Sequence, residues 1–198
     1  MLEIRYSDNK IEAGCDEAGR GCLAGPVYAA AVILPADYSN VMLNDSKQLN
    51  ERQRDNLRAE IERDAVAWAV ASVNNVEIDH MNILRASFHA MNMAVAQLSL
   101  KPELLLIDGN RFYNESDIPF VCIVKGDAKY QSIAAASILA KTHRDEFMKK
   151  QHLLHPEYGW DSNKGYPTPK HYAAIEKYGI TELHRKSYKL DRQTELEF

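Results

Sequence analysis

The segment "IEAGCDEAGRGCLAGPVYAAAVILP", residues 11–35, reads as two apolar strands, "IEAGCDE" and "VYAAAVILP", joined by a glycine-rich turn. Inside it, Asp16 and Glu17 stand directly before a glycine-spaced arginine, an arrangement no ordinary folding rule requires. Glycines at 14, 19, 21 and 25 keep side chains off the backbone, so a ligand can approach it closely. The adjacent carboxylates imply that this ligand arrives with a cation.

Outward from this hairpin, the chain alternates strands and helices, which predicts an α/β fold. "VAWAVASV" (66–73) reads as a third strand of the same sheet. "NERQRDNLRAEIERDA" (50–65) reads as an exposed amphipathic helix capped by Asn50, with Leu57 and Ile61 on its apolar face. "NILRASFHAMNMAVAQL" (82–98) is a second helix, capped by Asn82 and burying Ile83, Phe88, Met91, Val95 and Leu98. Two short apolar strands follow, "ELLLID" (103–108) and "FVCIVKGD" (120–127). The helix "SIAAASILAKTHRDEFMKKQHLL", opening at Ser132, is so rich in alanine that other backbone must pack closely on it. On this helix Arg144 and Asp145 are expected to form a structural pair. Beyond Pro156 the chain is turn-rich until Thr168 caps a last helix, with Pro169 at its first position and Gly179 past its end. The expected division is a catalytic domain over 1–155 and a helical flap over 156–198 that belongs to the same functional unit.

Composition limits what the chain can be. With 198 residues, 45% of them hydrophobic, it can bury a core large enough to fold without staples. Cys15, Cys22 and Cys122 are odd in number and lack C-x-x-C spacing, which argues against a disulfide framework or a zinc site and for a reducing compartment. The charged amino terminus and the lack of a long apolar run predict a soluble, cytoplasmic protein without membrane contact. A net charge of −4 argues against a protein that grips nucleic acid through bulk positive charge alone. From Lys141 onward the balance is slightly basic and most of the histidines occur. For those basic residues a solvated helical surface is the default reading.

Three acids fall at or just beyond predicted strand ends: Asp16, Asp108 closing "LLLID", and Asp127 after "FVCIVKG". Open α/β sheets place ligand sites there. A single aspartate in such a place is usually a turn former. Three of them, one followed by Glu17, would repel unless protonated or neutralised, and no Lys or Arg cluster adjoins them in sequence. A metal is the simpler neutraliser, and all-oxygen ligands favour Mg2+ or Mn2+ over zinc. Two such ions on four carboxylates suit in-line hydrolysis of a phosphodiester.

"CDEAGRGCLAGPV", "NDSKQL", "MNIL", "IDGN", "KGDAKYQSIAAASILAKTHRD" and "NKGYPT" together resemble ribonuclease HII, the type 2 ribonuclease H, in that family's order from about residue 11 to about residue 187. The resemblance implies an RNase H-like mixed five-stranded sheet flanked by helices, with a small C-terminal helical segment. It makes Asp16, Glu17, Asp108 and Asp127 the catalytic, metal-binding acids, with Mn2+ or Mg2+ as cofactor. It sets Gly19, Arg20 and Gly21 against the minor groove, their backbone contacting the 2′-hydroxyl that tells RNA from DNA. Tyr166 then stacks on the deoxyribose after the ribonucleotide, and Lys47 and Lys125 become candidate phosphate contacts.

The implied activity is endonucleolytic hydrolysis of the RNA strand of RNA–DNA hybrids, including cleavage 5′ to ribonucleotides embedded in duplex DNA, by a monomer. Cys22, where the family commonly has proline, and Asn163, where histidine is frequent, depart from the pattern. The lack of a long amino-terminal extension favours type 2 over type 3. An integrase or resolvase with the same sheet, and a catalytically silent hybrid binder, are the alternatives. Gly-Arg-Gly beside the first acid and the "KGYPT" segment weigh against the former, and the intact acids against the latter.

Overall fold

Five strands form one mixed sheet in the order β3-β2-β1-β4-β5: β1 is Glu12–Ala18, β2 Val27–Ile33, β3 Ala67–Val73, β4 Leu104–Asp108 and β5 Phe120–Ile123. In this computed structural model, which describes residues 2–43 and 49–191, β1 is central. It pairs antiparallel with β2 and parallel with β4, which pairs parallel with β5. The C-terminal ends of β1, β4 and β5 therefore lie side by side at one edge.

Successive strand residues face opposite sides of the sheet, and the core divides accordingly. Ala13 and Cys15 of β1 enter one cluster with Val27, Ala29 and Ala31 of β2 and with Ala86, Ala90 and Ala94 of a helix over Ile83–Ala96. Ala30 and Val32 enter the other, with Ile138 and Leu139 of the long helix over Gln131–His152 and with Leu57 and Ile61 of the first helix, Glu51–Asp64. In chain order the helices are α1 (Glu51–Asp64), α2 (Asn75–Met81), α3 (Ile83–Ala96), α4 (Gln131–His152), α5 (Trp160–Asn163) and α6 (Pro169–Tyr178).

The alanines of α4 and Gly14 of β1 permit an unusually close approach of helix to strand. A Cβ on Gly14 would overlap the carbonyl carbon of Ser132 and the nitrogen of Ile133. The strand advances about 6.8 Å over two residues and the helix about 7.5 Å over five. Asp16 accordingly reaches the level of Ser137, whose hydroxyl hydrogen-bonds its carboxylate.

The predicted caps hold. Asn50 accepts from the Gln53 amide while the Gln53 side chain returns to the Asn50 amide, and Thr168 accepts from the His171 amide with Pro169 at the first helical position. Three expectations are corrected. Strand β5 stops at Ile123 because Lys125 adopts a left-handed conformation (φ 56°) and Gly126–Ala128 forms a 3-10 turn. α4 opens at Gln131 rather than Ser132. Arg144 and Asp145 do not pair, because the buried Arg144 guanidinium is taken up by the carbonyls of Pro26, Lys164 and Ala24. Asp145 instead meets Lys141, four residues back, at 2.6 Å.

After α4, α5 and α6 settle on a third cluster in which Tyr158, Trp160, Ala174 and Ile175 pack with Leu23, Ala24 and Met148. This joins the C-terminal segment to the loop that follows β1. Among the described residues no helix is long and apolar enough to cross a membrane.

Candidate active site

The sheet register assembles the acids. Cys15 of β1 pairs with Ile107 of β4, so one further residue along each strand sets Asp16 beside Asp108. Asp108 in turn is paired with Ile123 of β5, and the 3-10 turn that follows carries Asp127. Carboxylate oxygens of Asp16, Asp108 and Asp127 lie within 4.8 Å of one another. Asp16 and Asp127 are each only 4% exposed.

Three anions this close in a partly dry site are costly. Burial, then the charges of Glu17 and Asp108, push the Asp16 carboxyl well above the usual range, against hydrogen bonds from Ser137 and the Glu17 amide. The backbone fixes two of the acids: the Glu17 amide donates to Asp16 Oδ1 at 2.7 Å and the Gly126 amide to Asp108 Oδ1 at 2.7 Å. A small, all-oxygen, preorganised anionic cluster fits a hard divalent cation. Glu17 stands beside this cluster rather than in it, and its Oε1 takes the Arg20 guanidinium at 3.1 Å.

Immediately after β1 the backbone turns through Gly19, Arg20 and Gly21. Gly19 has φ +98°, and a Cβ there would run into the Arg144 side chain, so its glycine is required by the fold. Gly21 is different: it is exposed, and a Cβ there would meet nothing within 4 Å. The protein's own packing does not ask for that glycine.

Two fully buried arginines support this turn. Arg144 donates to the carbonyls of Pro26 (3.0 Å), Lys164 (2.8 Å) and Ala24 (3.1 Å). Arg185 donates to those of Gly25 (3.0 Å), Arg20 (2.8 Å) and Gly19 (2.7 Å). Neither guanidinium had been anticipated as part of the site, since backbone carbonyls leave no trace in a sequence.

Tyr166 sits in the turn before α6, 37% exposed, its ring under the Lys141 ammonium (5.6 Å) and the Arg144 guanidinium (5.8 Å). Its hydroxyl bonds the buried thiol of Cys22, and burial together with that neighbour pushes it up to about 12. Its carbonyl is held by a histidine relay. The Thr181 amide donates to His184 Nδ1 at 2.9 Å, so His184 carries its proton on Nε2, which faces His171 Nε2 at 3.2 Å. The Trp160 indole donates to that same His171 nitrogen at 3.1 Å, and His171 Nδ1–H donates to the Tyr166 carbonyl at 3.0 Å. Both rings are neutral; burial and then His171 bring His184 down to about 4. Lys125 lies in the turn before Asp127, and Lys47 falls outside the described residues.

The structure thus brings Asp16, Asp108 and Asp127 together and sets Glu17, Gly19, Arg20 and Gly21 beside them. Residues 13–191 match the family described as Ribonuclease HII. A relative named Ribonuclease HII from Bacteroides thetaiotaomicron is 62% identical over 200 residues, covering 100% of both chains. Another of that name, from Porphyromonas gingivalis, is 58% identical and covers 96% of this chain and 94% of its own. Among solved structures, ribonuclease H2 from Pyrococcus horikoshii has a TM-score of 0.76 at 26% identity, covering 90% of this chain and 94% of that one. RNase HII of Archaeoglobus fulgidus, solved as a complex with PCNA, has a TM-score of 0.77 at 25% identity, covering 93% and 98%. With a full-length relative at 62% identity and the family matched from the first strand to the last described residue, the chain belongs to the ribonuclease HII family, endonucleases that hydrolyse the RNA of RNA–DNA hybrids.

Proposed function

We propose that this chain cuts duplex DNA 5′ to embedded ribonucleotides, as well as RNA–DNA hybrids, with Asp16, Asp108 and Asp127 holding divalent ions and Glu17 completing the set. The observation that carries this reading is the convergence of three carboxylates, two from the parallel strands β1 and β4 and one from the turn after β5, beside a backbone turn open to a ligand. When bound, paired Mg2+ or Mn2+ ions supply the positive charge that activates water and stabilises the leaving oxygen. The acids hold that charge at the strand ends, in positions set by the Glu17 and Gly126 amides. The turn at 19–21 presents backbone to the ribose, and a 2′-hydroxyl is the group that separates RNA from DNA. Tyr166 offers a ring face for the next sugar, and residues 156–191 act as the flap that carries it. The working form is a monomer.

The decisive assay is cleavage of an end-labelled DNA duplex with one ribonucleotide, with Mg2+ and Mn2+ titrated separately and a chelator control. A single metal-dependent cut on the 5′ side is expected. An uncut substrate that remains bound would reduce the chain to a binder.

Ion binding should also be visible without turnover. The folded Asp16 carboxyl titrates above its unfolded value, so its own contribution to the stability of the ion-free protein declines as pH rises through the carboxylate range toward neutrality. At neutral pH an ion at about 100 times its Kd adds roughly 2.7 kcal/mol, or about 5–10 °C in Tm for a chain of this size. The gain should shrink toward pH 4 as the acids protonate. A Tm indifferent to both ions at every pH would remove the metal site.

Tyr166→Ala should slow single-turnover cleavage of the one-ribonucleotide duplex about tenfold or more, from loss of a stack worth roughly 1–3 kcal/mol. Tyr166→Phe keeps the ring and loses only the bond to Cys22, so it should remain within about threefold. Equal losses in both variants, on this duplex and on an all-RNA strand paired with DNA, would make Tyr166 a structural aromatic.

A further inference from the structure

We infer that Arg185 is a positioning residue for ribose selection: its buried guanidinium holds the carbonyls of Gly19 and Arg20 inward and so turns the amides of Arg20 and Gly21 toward the ligand. This rests on the reading of residues 19–21 as the ribose-facing turn.

The argument is one of peptide geometry. Across a trans peptide the C=O and the N–H of the next residue point in opposite directions. Arg185 Nη2 fixes the Gly19 carbonyl at 2.7 Å, which aims the Arg20 N–H away from the guanidinium. Nη1 fixes the Arg20 carbonyl at 2.8 Å, which does the same for the Gly21 N–H. The Tyr188 hydroxyl donates to the Arg20 carbonyl at 2.6 Å and accepts from Arg185 Nη1 at 3.1 Å, which completes the clamp. Among the described residues neither the Arg20 nor the Gly21 amide has a partner within the protein.

Burial makes the clamp expensive, and hence informative. Arg185 is 0% exposed, and among the described residues no carboxylate pairs with it; carbonyls and one hydroxyl are its whole solvation. A guanidinium suits this task because its donors lie in a rigid planar fork, so two carbonyls of the turn and that of Gly25 beyond it are fixed at once. A lysine ammonium is a point charge on a flexible stem and cannot impose that geometry.

The test compares Arg185→Lys and Tyr188→Phe with the wild type, each with its metal. KM is measured for a duplex containing one ribonucleotide, and Ki for the all-DNA duplex of the same sequence as competitor. The ratio Ki/KM reads preference for the 2′-hydroxyl. Each correctly aimed amide bond is worth about a three- to tenfold factor. The ratio should therefore fall about tenfold in Arg185→Lys and about threefold in Tyr188→Phe, through KM, with Ki unmoved. A role in stability alone would lower Tm or kcat and leave the ratio intact, and that result overturns the inference. Should Arg185→Lys fail to fold, Tyr188→Phe decides, an unchanged ratio again counting against the clamp. A wild-type ratio near one overturns the ribose-reading turn itself, an outcome distinct from failure of Arg185.

Discussion

Asp108→Asn should cut turnover on the order of 10³-fold while the protein stays folded, and Asp16→Asn should do the same. Electrostatic help from bound cations is worth several kcal/mol, and each 1.36 kcal/mol is tenfold in rate. Asparagine keeps the side-chain oxygen that accepts from Gly126 in one case and from Glu17 in the other, so the backbone of the site persists. What goes is a negative charge from a cluster whose oxygens lie within 4.8 Å of one another. Without added ions Asp16→Asn should be more heat-stable than the wild type at neutral pH, because a carboxyl pushed upward by burial and by its neighbours no longer has to ionise, and Asp108→Asn should gain in the same direction by removing one of the charges that press on Asp16. Steady-state cleavage and thermal melts monitored by circular dichroism check both halves. Turnover near wild type in either variant would falsify the assignment of the acids.

Gly14→Ala should cost about 3 kcal/mol, although it adds a single methyl group. That methyl would overlap backbone atoms of Ser132 and Ile133, which cannot swing aside as a side chain can. The helix must move off the sheet, and it carries Ser137, the hydrogen-bond partner of Asp16. Activity should therefore fall further than the folded fraction accounts for. Gly126→Ala is the informative contrast, since the added methyl would press on Ile133 Cδ1, the end of a flexible side chain, and should cost about 1 kcal/mol. Urea unfolding of the two variants beside turnover at a temperature where both are folded measures the difference. Equal destabilisation would mean that α4 is free to adjust.

The strands, the main helices and the acid cluster were readable because each rests on a local pattern or a simple order. Apolar runs closing in Asp at 108 and followed by Asp at 127 needed only parallel pairing of β1, β4 and β5 to converge. The short helix α2 was not anticipated, since seven residues hold too little periodicity, yet Asn74 and Glu77 spell a capping box that could have revealed it. The extension of β5 to residue 127 failed on Lys125, a non-glycine residue in a left-handed conformation that no local rule demands. The two buried arginines were beyond reach for another reason. Their partners are carbonyl groups 118 to 166 residues away in some of these bonds, and every residue type carries a carbonyl. The histidine relay behind Tyr166 was hidden likewise, because His171 meets a backbone oxygen at one nitrogen and a ring from a later turn at the other.

The ties between residues 19–25 and Arg185 have a consequence for biosynthesis. At the ribosome, about 5–20 residues are added each second, so the 160 residues separating Gly25 from its clamp take roughly 8–32 seconds to emerge. For the last 58 residues of that interval, roughly 3–12 seconds, Asp16, Asp108 and Asp127 have all emerged while Arg185 has not. A nascent or prematurely stopped chain ending between residues 128 and 184 would hold every acid of the cluster but lack Arg185 and Tyr188, the donors to the Gly19 and Arg20 carbonyls. On the proposed reading, the ribose-facing turn thus takes its final orientation only once the carboxy-terminal segment has been released and has docked.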